Sequence, residues 1–142
     1  MVFSLSGCFI SLEDNGNSKT YYVGDTQKVK GISITVTNVE SGLYCDNKKS
    51  SNGWWVKVHF TATNDNDEPY KIFYSDFELN DTYTIRKTSY SLTNIKSGGF
   101  EMIKGNTYEF FVIFDCKYQH SEKDMIFMWD RGLFYENQEW VV

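Results

Sequence analysis

From Trp54 to Ala62 the chain alternates without a break, and this run excludes most folds. Trp54, Val56, Val58, Phe60 and Ala62 fall on one side; Trp55, Lys57, His59 and Thr61 fall on the other. Side chains on a strand point alternately to opposite faces. On a helix the same residues would be scattered around the axis, so a period of two over this length marks a half-buried strand. Two more runs repeat the pattern. Ile32, Ile34 and Val36 alternate with Ser33, Thr35 and Thr37, after a short strand near Gln27–Lys30 and a turn at Gly31. Tyr108, Phe110, Val112 and Phe114 alternate through Thr107–Phe114, entered at the turn Gly105-Asn106. Shorter strands are expected near Tyr70–Phe73, Phe77–Leu79, Tyr83–Arg86, Met125–Trp129 and Glu139–Val142. No segment sustains a helical period. Proline occurs once, at Pro69, and β-branched and aromatic residues, which suit a pleated surface, are abundant. Short strands at regular spacing between Gly, Asn, Asp and Ser clusters predict an all-β sandwich or barrel. With 142 residues and no internal repeat, one domain is expected.

The N-terminal residues Leu5-Ser6-Gly7-Cys8 match the box that lipoprotein signal peptidase cuts before a lipidated cysteine. Such a signal carries a basic region and an apolar stretch before the box, and only Met1-Val2-Phe3-Ser4 precede it here. Residues 1–8 are therefore read as the remnant of a lipoprotein signal. Residues 9–20 are read as a polar tether and 21–142 as the folded domain. The expected location is extracytoplasmic, with the domain lipid-anchored through Cys8 to the outer face of the cell membrane.

Composition removes several functions. The net charge is −5, and the Lys and Arg residues are scattered among acids. Nucleic-acid binding needs clustered cations to neutralise phosphates, so no DNA or RNA partner is expected. Electrostatic docking on anionic lipid is disfavoured for the same reason. No stretch approaches the ~20 apolar residues of a spanning helix. If Cys8 carries lipid, Cys45 and Cys116 remain. In an oxidising compartment they read as one disulfide, with two separate buried thiols as the alternative.

The order of these segments carries a resemblance. Tyr22-Val23-Gly24-Asp25 opens the domain and Ile32-Ser33-Ile34-Thr35-Val36 follows. The long aromatic strand ends in Thr63-Asn64, and Phe77-Glu78-Leu79-Asn80-Asp81 comes next. Lys104-Gly105 then precedes Phe111-Val112-Ile113-Phe114-Asp115. Together these resemble the immunoglobulin-like domain of Gram-positive surface lipoproteins known as domain of unknown function 4352, a group similar to the mycobacterial immunoprotective-antigen sandwich. The resemblance implies an immunoglobulin-like two-sheet antiparallel sandwich of about seven to nine strands. It supplies no catalytic residues. On such a sandwich strand 54–62 lies between strands 32–39 and 107–114, antiparallel to both. Cys45 and Cys116 then follow strands that end at the same pole. A bridge between them would close a loop of about 70 residues and add about 4 kcal/mol in the chain-entropy picture.

The outer face of the two long strands is the expected binding surface. Trp55, His59, Glu109, Phe111 and Ile113 would form an apolar-aromatic patch there, of the kind that marks interaction surfaces. The alternative is that another segment covers it; Leu133-Phe134-Tyr135 and Trp140-Val141-Val142 are apolar enough. The run Asn64-Asp65-Asn66-Asp67-Glu68 offers oxygen ligands, with Asp65, Asp67 and Glu68 as a possible calcium set. Inter-strand turns are also rich in Asn and Asp for backbone reasons. A soft metal would have to gather Cys45, Cys116, His59, His120, Met125 and Met128, which lack the tight pairs of structural zinc sites. A Cys116–His120 nucleophile pair has no orienting acid. No phosphate-cradling or nucleophile-elbow motif occurs, so no enzyme activity and no cofactor are expected. The expected function is a non-enzymatic extracellular interaction or adhesion module with an unknown protein partner. The alternative is an envelope ligand-binding protein for a metal ion or a glycan, with Trp55, Trp129 and Trp140 as stacking platforms for sugar rings.

Overall fold

The computed structural model describes residues 19–89, 91–130 and 137–142. Cys8 with its box, residues 9–18 of the tether, and the stretch Leu133-Phe134-Tyr135 lie outside the described residues. Among the described residues there are twelve strands. In chain order these are β1 (Thr26–Val29), β2 (Ile32–Gly42), β3 (Tyr44–Cys45), β4 (Lys48–Lys49), β5 (Trp54–Asn64), β6 (Tyr70–Ile72), β7 (Phe77–Asn80), β8 (Ile85–Lys87), β9 (Phe100–Met102), β10 (Thr107–Cys116), β11 (Ile126–Trp129) and β12 (Gln138–Val141). Eight of them form two four-stranded sheets, ordered β10-β5-β2-β1 and β12-β11-β7-β8. The other four form two short ribbons, β3-β4 and β6-β9. All pairings between these strands are antiparallel. The two sheets pack face to face as the expected β-sandwich, and the long central strand does lie between its two predicted neighbours.

The alternation read from the sequence is what packs. Val56, Val58, Phe60 and Ala62 of β5 are buried, as are Ile32, Ile34 and Val36 of β2 and Phe110, Val112 and Phe114 of β10. Phe60 sits at the centre. Its ring lies 4.7 Å from Phe77 and 6.0 Å from Phe127 of the opposite sheet, and 5.5 Å from Phe110 of its own. Offset aromatic pairs at such spacings add to the apolar burial itself. Trp129 and Trp140 are fully buried in the second sheet, so neither can serve as a sugar platform, and Trp140 belongs to the core rather than to a cover on the outer face.

Strand β2 runs farther than its alternation suggests. A bulge falls between Val36 and Asn38. The inserted residue resets the faces, so Val39 and Ser41 turn inward and Glu40 turns outward beside Lys57. The expected strand at Tyr83–Arg86 begins later, at Ile85. Residues 81–84 form a turn instead, with Thr82 at a φ of 72°.

One edge of each four-stranded sheet, β10 and β12, is partly paired by a neighbouring segment. Beside β10, Thr88 bridges Phe114, Ser89 N–H donates to the Ile113 carbonyl (2.8 Å), and Asn94 accepts from Phe111 N–H through Oδ1 (2.8 Å). Beside β12, Tyr22 bridges Val141, and Gln27 Nε2 donates to the Glu139 carbonyl (2.7 Å). Paired edges of this kind resist edge-to-edge aggregation. No helix among the described residues is long and apolar enough to cross a membrane.

Asn64, the last residue of β5, is fully buried. Its Nδ2 donates to the carbonyls of Glu68 (2.9 Å) and Met102 (2.9 Å), and its Oδ1 accepts from Asn66 N–H (2.9 Å). One side chain thus ties the 65–69 turn to the β6-β9 ribbon. Asn64→Ala strands the buried Met102 carbonyl and removes partners from the Glu68 carbonyl and the Asn66 N–H at its rim, and a buried orphan costs about 1–3 kcal/mol. The expected loss is about 2–3 kcal/mol by denaturant unfolding; a loss below 0.5 kcal/mol would show that water substitutes freely.

Candidate functional site

The register places the predicted face as expected and then covers half of it. His59 pairs with Phe111 and Lys57 with Ile113 across β5 and β10, while Glu40 of β2 pairs with Lys57. The cover is the β3-β4 ribbon. Asp46 and Asn47 adopt φ of 49° and 64°, the left-handed pair that makes the tightest hairpin turn. The hairpin folds back over the sheet, and Trp55 Nε1–H donates to the Lys48 carbonyl (2.8 Å). Trp55 is consequently 5% exposed and Ile113 fully buried. The expected continuous apolar patch is therefore absent. The sequence offered a C-terminal segment as the cover, whereas the hairpin at 44–49 fills that role.

What remains open on this face is polar. His59 Nε2 lies 2.5 Å from Glu40 Oε2. The Lys57 ammonium sits 4.1 Å above the Phe111 ring, and the His59 ring lies 5.9 Å from that of Phe111. Glu109 is exposed and Phe111 part-buried. Beneath the hairpin lies a cleft of 190 Å³ lined by Glu40, Tyr44, Cys45, Trp55, Lys57 and Ile113, among others. Ligand pockets usually run to about 300–1,000 Å³, so this cleft is small for an organic ligand. Leu43 and Tyr44 beside it are 47% and 61% exposed.

The expected Cys45–Cys116 bridge does not form, and both thiols are free. Cys116 ends β10 on the core side, while Cys45 rides on the hairpin over the outer face, so the sheet stands between them. Burial pushes the Cys116 thiol up to about 12, assisted by the Asp81 charge. Burial also raises the Cys45 thiol, with Asp46 adding to the effect. Neither is poised as a thiolate nucleophile. His120 is not a partner for Cys116 either: its Nδ1 shares a 2.7 Å hydrogen bond with Ser41 Oγ, which also accepts from His120 N–H (2.8 Å).

The acidic run likewise resolves into a turn. Asp65 pairs with Lys28 (2.9 Å) and Asp67 with Lys104 (2.5 Å). Lys28 belongs to β1 and Lys104 to the β9–β10 connection, so the two carboxylates are engaged by different elements. Among the described residues no three His, Cys, Asp or Glu side chains gather in a way that could hold a metal ion. Asp65, Asp67 and Glu68 do not gather into a calcium set in this structure, and neither does the soft-metal group.

A constellation that sequence reasoning missed lies around Asp81. Its carboxylate is fully buried. Oδ1 accepts from the N–H groups of Tyr83 (3.0 Å) and Thr84 (2.9 Å). Oδ2 accepts from Arg86 Nε (2.8 Å) and Lys117 N–H (2.9 Å). Burial by itself would raise this carboxyl. The donors at Lys117, Thr84, Arg86 and Tyr83 outweigh burial and hold it below its ordinary value of 3.8. One acid thereby positions two exposed loops, 82–84 and 117 onward. The only sequence signal was an Asn-Asp pair at a strand end, which is common in any turn.

This architecture is shared with solved structures. The secreted protein MPT63 of Mycobacterium tuberculosis superposes with a TM-score of 0.66 at 12% identity, over 89% of this chain and 99% of that one. YcdA, a candidate lipoprotein of Bacillus subtilis, superposes with a TM-score of 0.59 at 16% identity; the match covers 82% of this chain but 38% of that one. An uncharacterised β-sandwich protein of Clostridium difficile gives a TM-score of 0.57 at 14% identity, over 92% and 99% of the two chains. At these identities the likeness establishes the fold. Neither a protein-family profile nor a curated protein sequence matches the chain.

Proposed function

We propose that this chain is a non-enzymatic interaction module of the bacterial envelope, carried outside the membrane by lipid on Cys8. The observation that carries the reading is the Leu5-Ser6-Gly7-Cys8 box, followed by a polar tether that leads directly into a single β-sandwich. The kinship in fold with a secreted mycobacterial protein and a candidate Bacillus lipoprotein supports the same placement. Membership of the domain 4352 group belongs to this reading as well. The sealed Cys116 and the engaged His120 support a role without catalysis. A protein partner would meet the face around Lys57, His59, Glu109 and Phe111, extended by Leu43 and Tyr44 of the hairpin, in place of the buried Trp55 and Ile113.

The test is the intact mass and fractionation of the full-length gene product from a Gram-positive host. Loss of residues 1–7 with a diacylglyceryl adduct on Cys8, and release of Cys8→Ala from the membrane fraction, are the expected results. An unmodified chain in the cytosol overturns the proposal.

A further inference from the structure

Five side chains at one end of the sandwich alternate cation and ring. Arg86 Cζ lies 5.8 Å from the Tyr83 ring centroid, and Lys117 Nζ lies 4.2 Å from it on the way to Tyr118. Lys117 Nζ is 5.8 Å from the Tyr118 centroid, and Lys123 Nζ is 5.5 Å from the same ring. The members come from two segments far apart in sequence, so only the fold assembles them. Asp81 sets the geometry, since it accepts hydrogen bonds from Tyr83 N–H, Arg86 Nε and Lys117 N–H. Arg86 is committed to that buried carboxylate and is 16% exposed; it acts as a fixed base. Tyr83 is 64% exposed, and Lys117 and Lys123 are exposed. Among the described residues neither ammonium has an ion-pair partner, in contrast to Lys28, Lys87 and Lys104. The neighbouring Glu122 is engaged by Gln119 Nε2 at 3.0 Å.

We infer that this ladder is a binding site for an acidic glycan, a sugar polymer that carries carboxylate or phosphate groups along its length. The chain as a whole carries a charge of −5 and repels polyanions at long range. Two ammonium groups without an ion-pair partner among the described residues, held beside the exposed Tyr83 ring and the part-buried Tyr118 ring, offer local complementarity to a polyanion. The ammonium groups meet successive anionic groups through charge-assisted hydrogen bonds. The exposed part of the Tyr83 ring takes the apolar face of a sugar ring. Arg86 and Asp81 hold the platform in place before the ligand arrives, which lowers the ordering cost of binding. The inference goes beyond the envelope reading, because binding by the purified domain does not depend on lipid at Cys8.

The experiment is titration of the purified chain with an oligogalacturonate, alongside neutral maltoheptaose and inorganic polyphosphate, at low and at physiological salt. Oligogalacturonate is expected to bind with a salt-sensitive affinity, and maltoheptaose not to bind. Lys117→Gln combined with Lys123→Gln is expected to weaken binding by about tenfold, and Tyr83→Ala by about threefold or more. Lys123→Glu is a second, single-site probe with the same expected direction. Melting curves of these surface variants confirm the fold. Absence of binding, or affinity unchanged in folded variants, overturns the site. Polyphosphate binding as tightly as oligogalacturonate, with Tyr83→Ala silent toward both, overturns the glycan in favour of a bare anion patch.

Discussion

Asp81→Ala is expected to destabilise the fold by about 3–5 kcal/mol, the cost of leaving one partner of a buried pair uncompensated. The carboxylate is fully buried and gathers four donors. Alanine would leave Arg86 without its counter-charge and three backbone N–H groups without an acceptor. For a domain of this size the melting temperature should fall by about 10 °C or more. Asp81→Asn is a sharper probe. The amide keeps one acceptor oxygen but turns an NH2 group toward donors that need an acceptor, so it should lose much of the same stability. The two proteins should also differ in their response to acid. Folding depresses this carboxyl below 3.8, so the folded state binds fewer protons than the unfolded chain as the pH approaches that value. The resulting stability is fully present above the ordinary carboxylate range and is lost as the pH falls through the lowered folded value. The stability gap between the native chain and Asp81→Asn should thus hold steady near neutrality and narrow below about pH 4. Urea unfolding across pH reads this directly. A gap that is small at pH 7, or that widens in acid, would refute the assigned role.

The second large effect is expected at Phe60. Its ring is 1% exposed and meets Phe77 and Phe127 across the sandwich. Phe60→Ala removes the contacts that join the two sheets and leaves a cavity that close-packed neighbours cannot fill, at a cost of about 3–5 kcal/mol. Phe111→Ala is the control from the same sheet. That ring faces outward under Lys57 and His59, and its loss should cost about 1 kcal/mol. Equal effects at the two positions would contradict the assignment of inner and outer faces. The contrast also guides work on partners, since changing Phe111 is expected to cost the fold far less than changing Phe60.

The residues that legibly announced themselves are those whose role depends on near neighbours. The alternation of Trp54–Ala62 and Thr107–Phe114 reports burial on one face, and the observed core follows it at Val56, Val58, Phe60, Ala62, Phe110, Val112 and Phe114, while Trp54 and Tyr108 are only part-buried. The bulge at Thr37 was not legible, because one inserted residue leaves the composition unchanged while it reverses the faces beyond it. Short strands such as Phe100–Met102 carried too few alternating positions to stand out; pairing with Tyr70–Ile72 makes them strands. Asn64 and Asp81 read as ordinary turn formers. Their importance comes from burial, which raises the cost of any unmet hydrogen bond, and burial is set by the packed sheets.

The binding face shows the same division. Strand period, with the strand order implied by the resemblance, placed Trp55, His59, Phe111 and Ile113 on one outer surface, and the register agrees. Whether that surface meets solvent depended on where the Tyr44–Lys49 hairpin would lie, and no local pattern encodes the path of a hairpin over a sheet. The disulfide failed for a related reason. Counting cysteines gives their number, and strand order gives the pole at which Cys45 and Cys116 end, but not the side of the sheet each occupies. Period and composition are local properties of a chain, and they were enough to determine an all-β sandwich or barrel with one apolar core; the resemblance pointed to the sandwich. Cover, cleft, ion pairing and the Arg86–Tyr83–Lys117–Tyr118–Lys123 ladder join residues distant in sequence. They exist only once hydrophobic burial has brought the two sheets together and every loop has had to find its place around them.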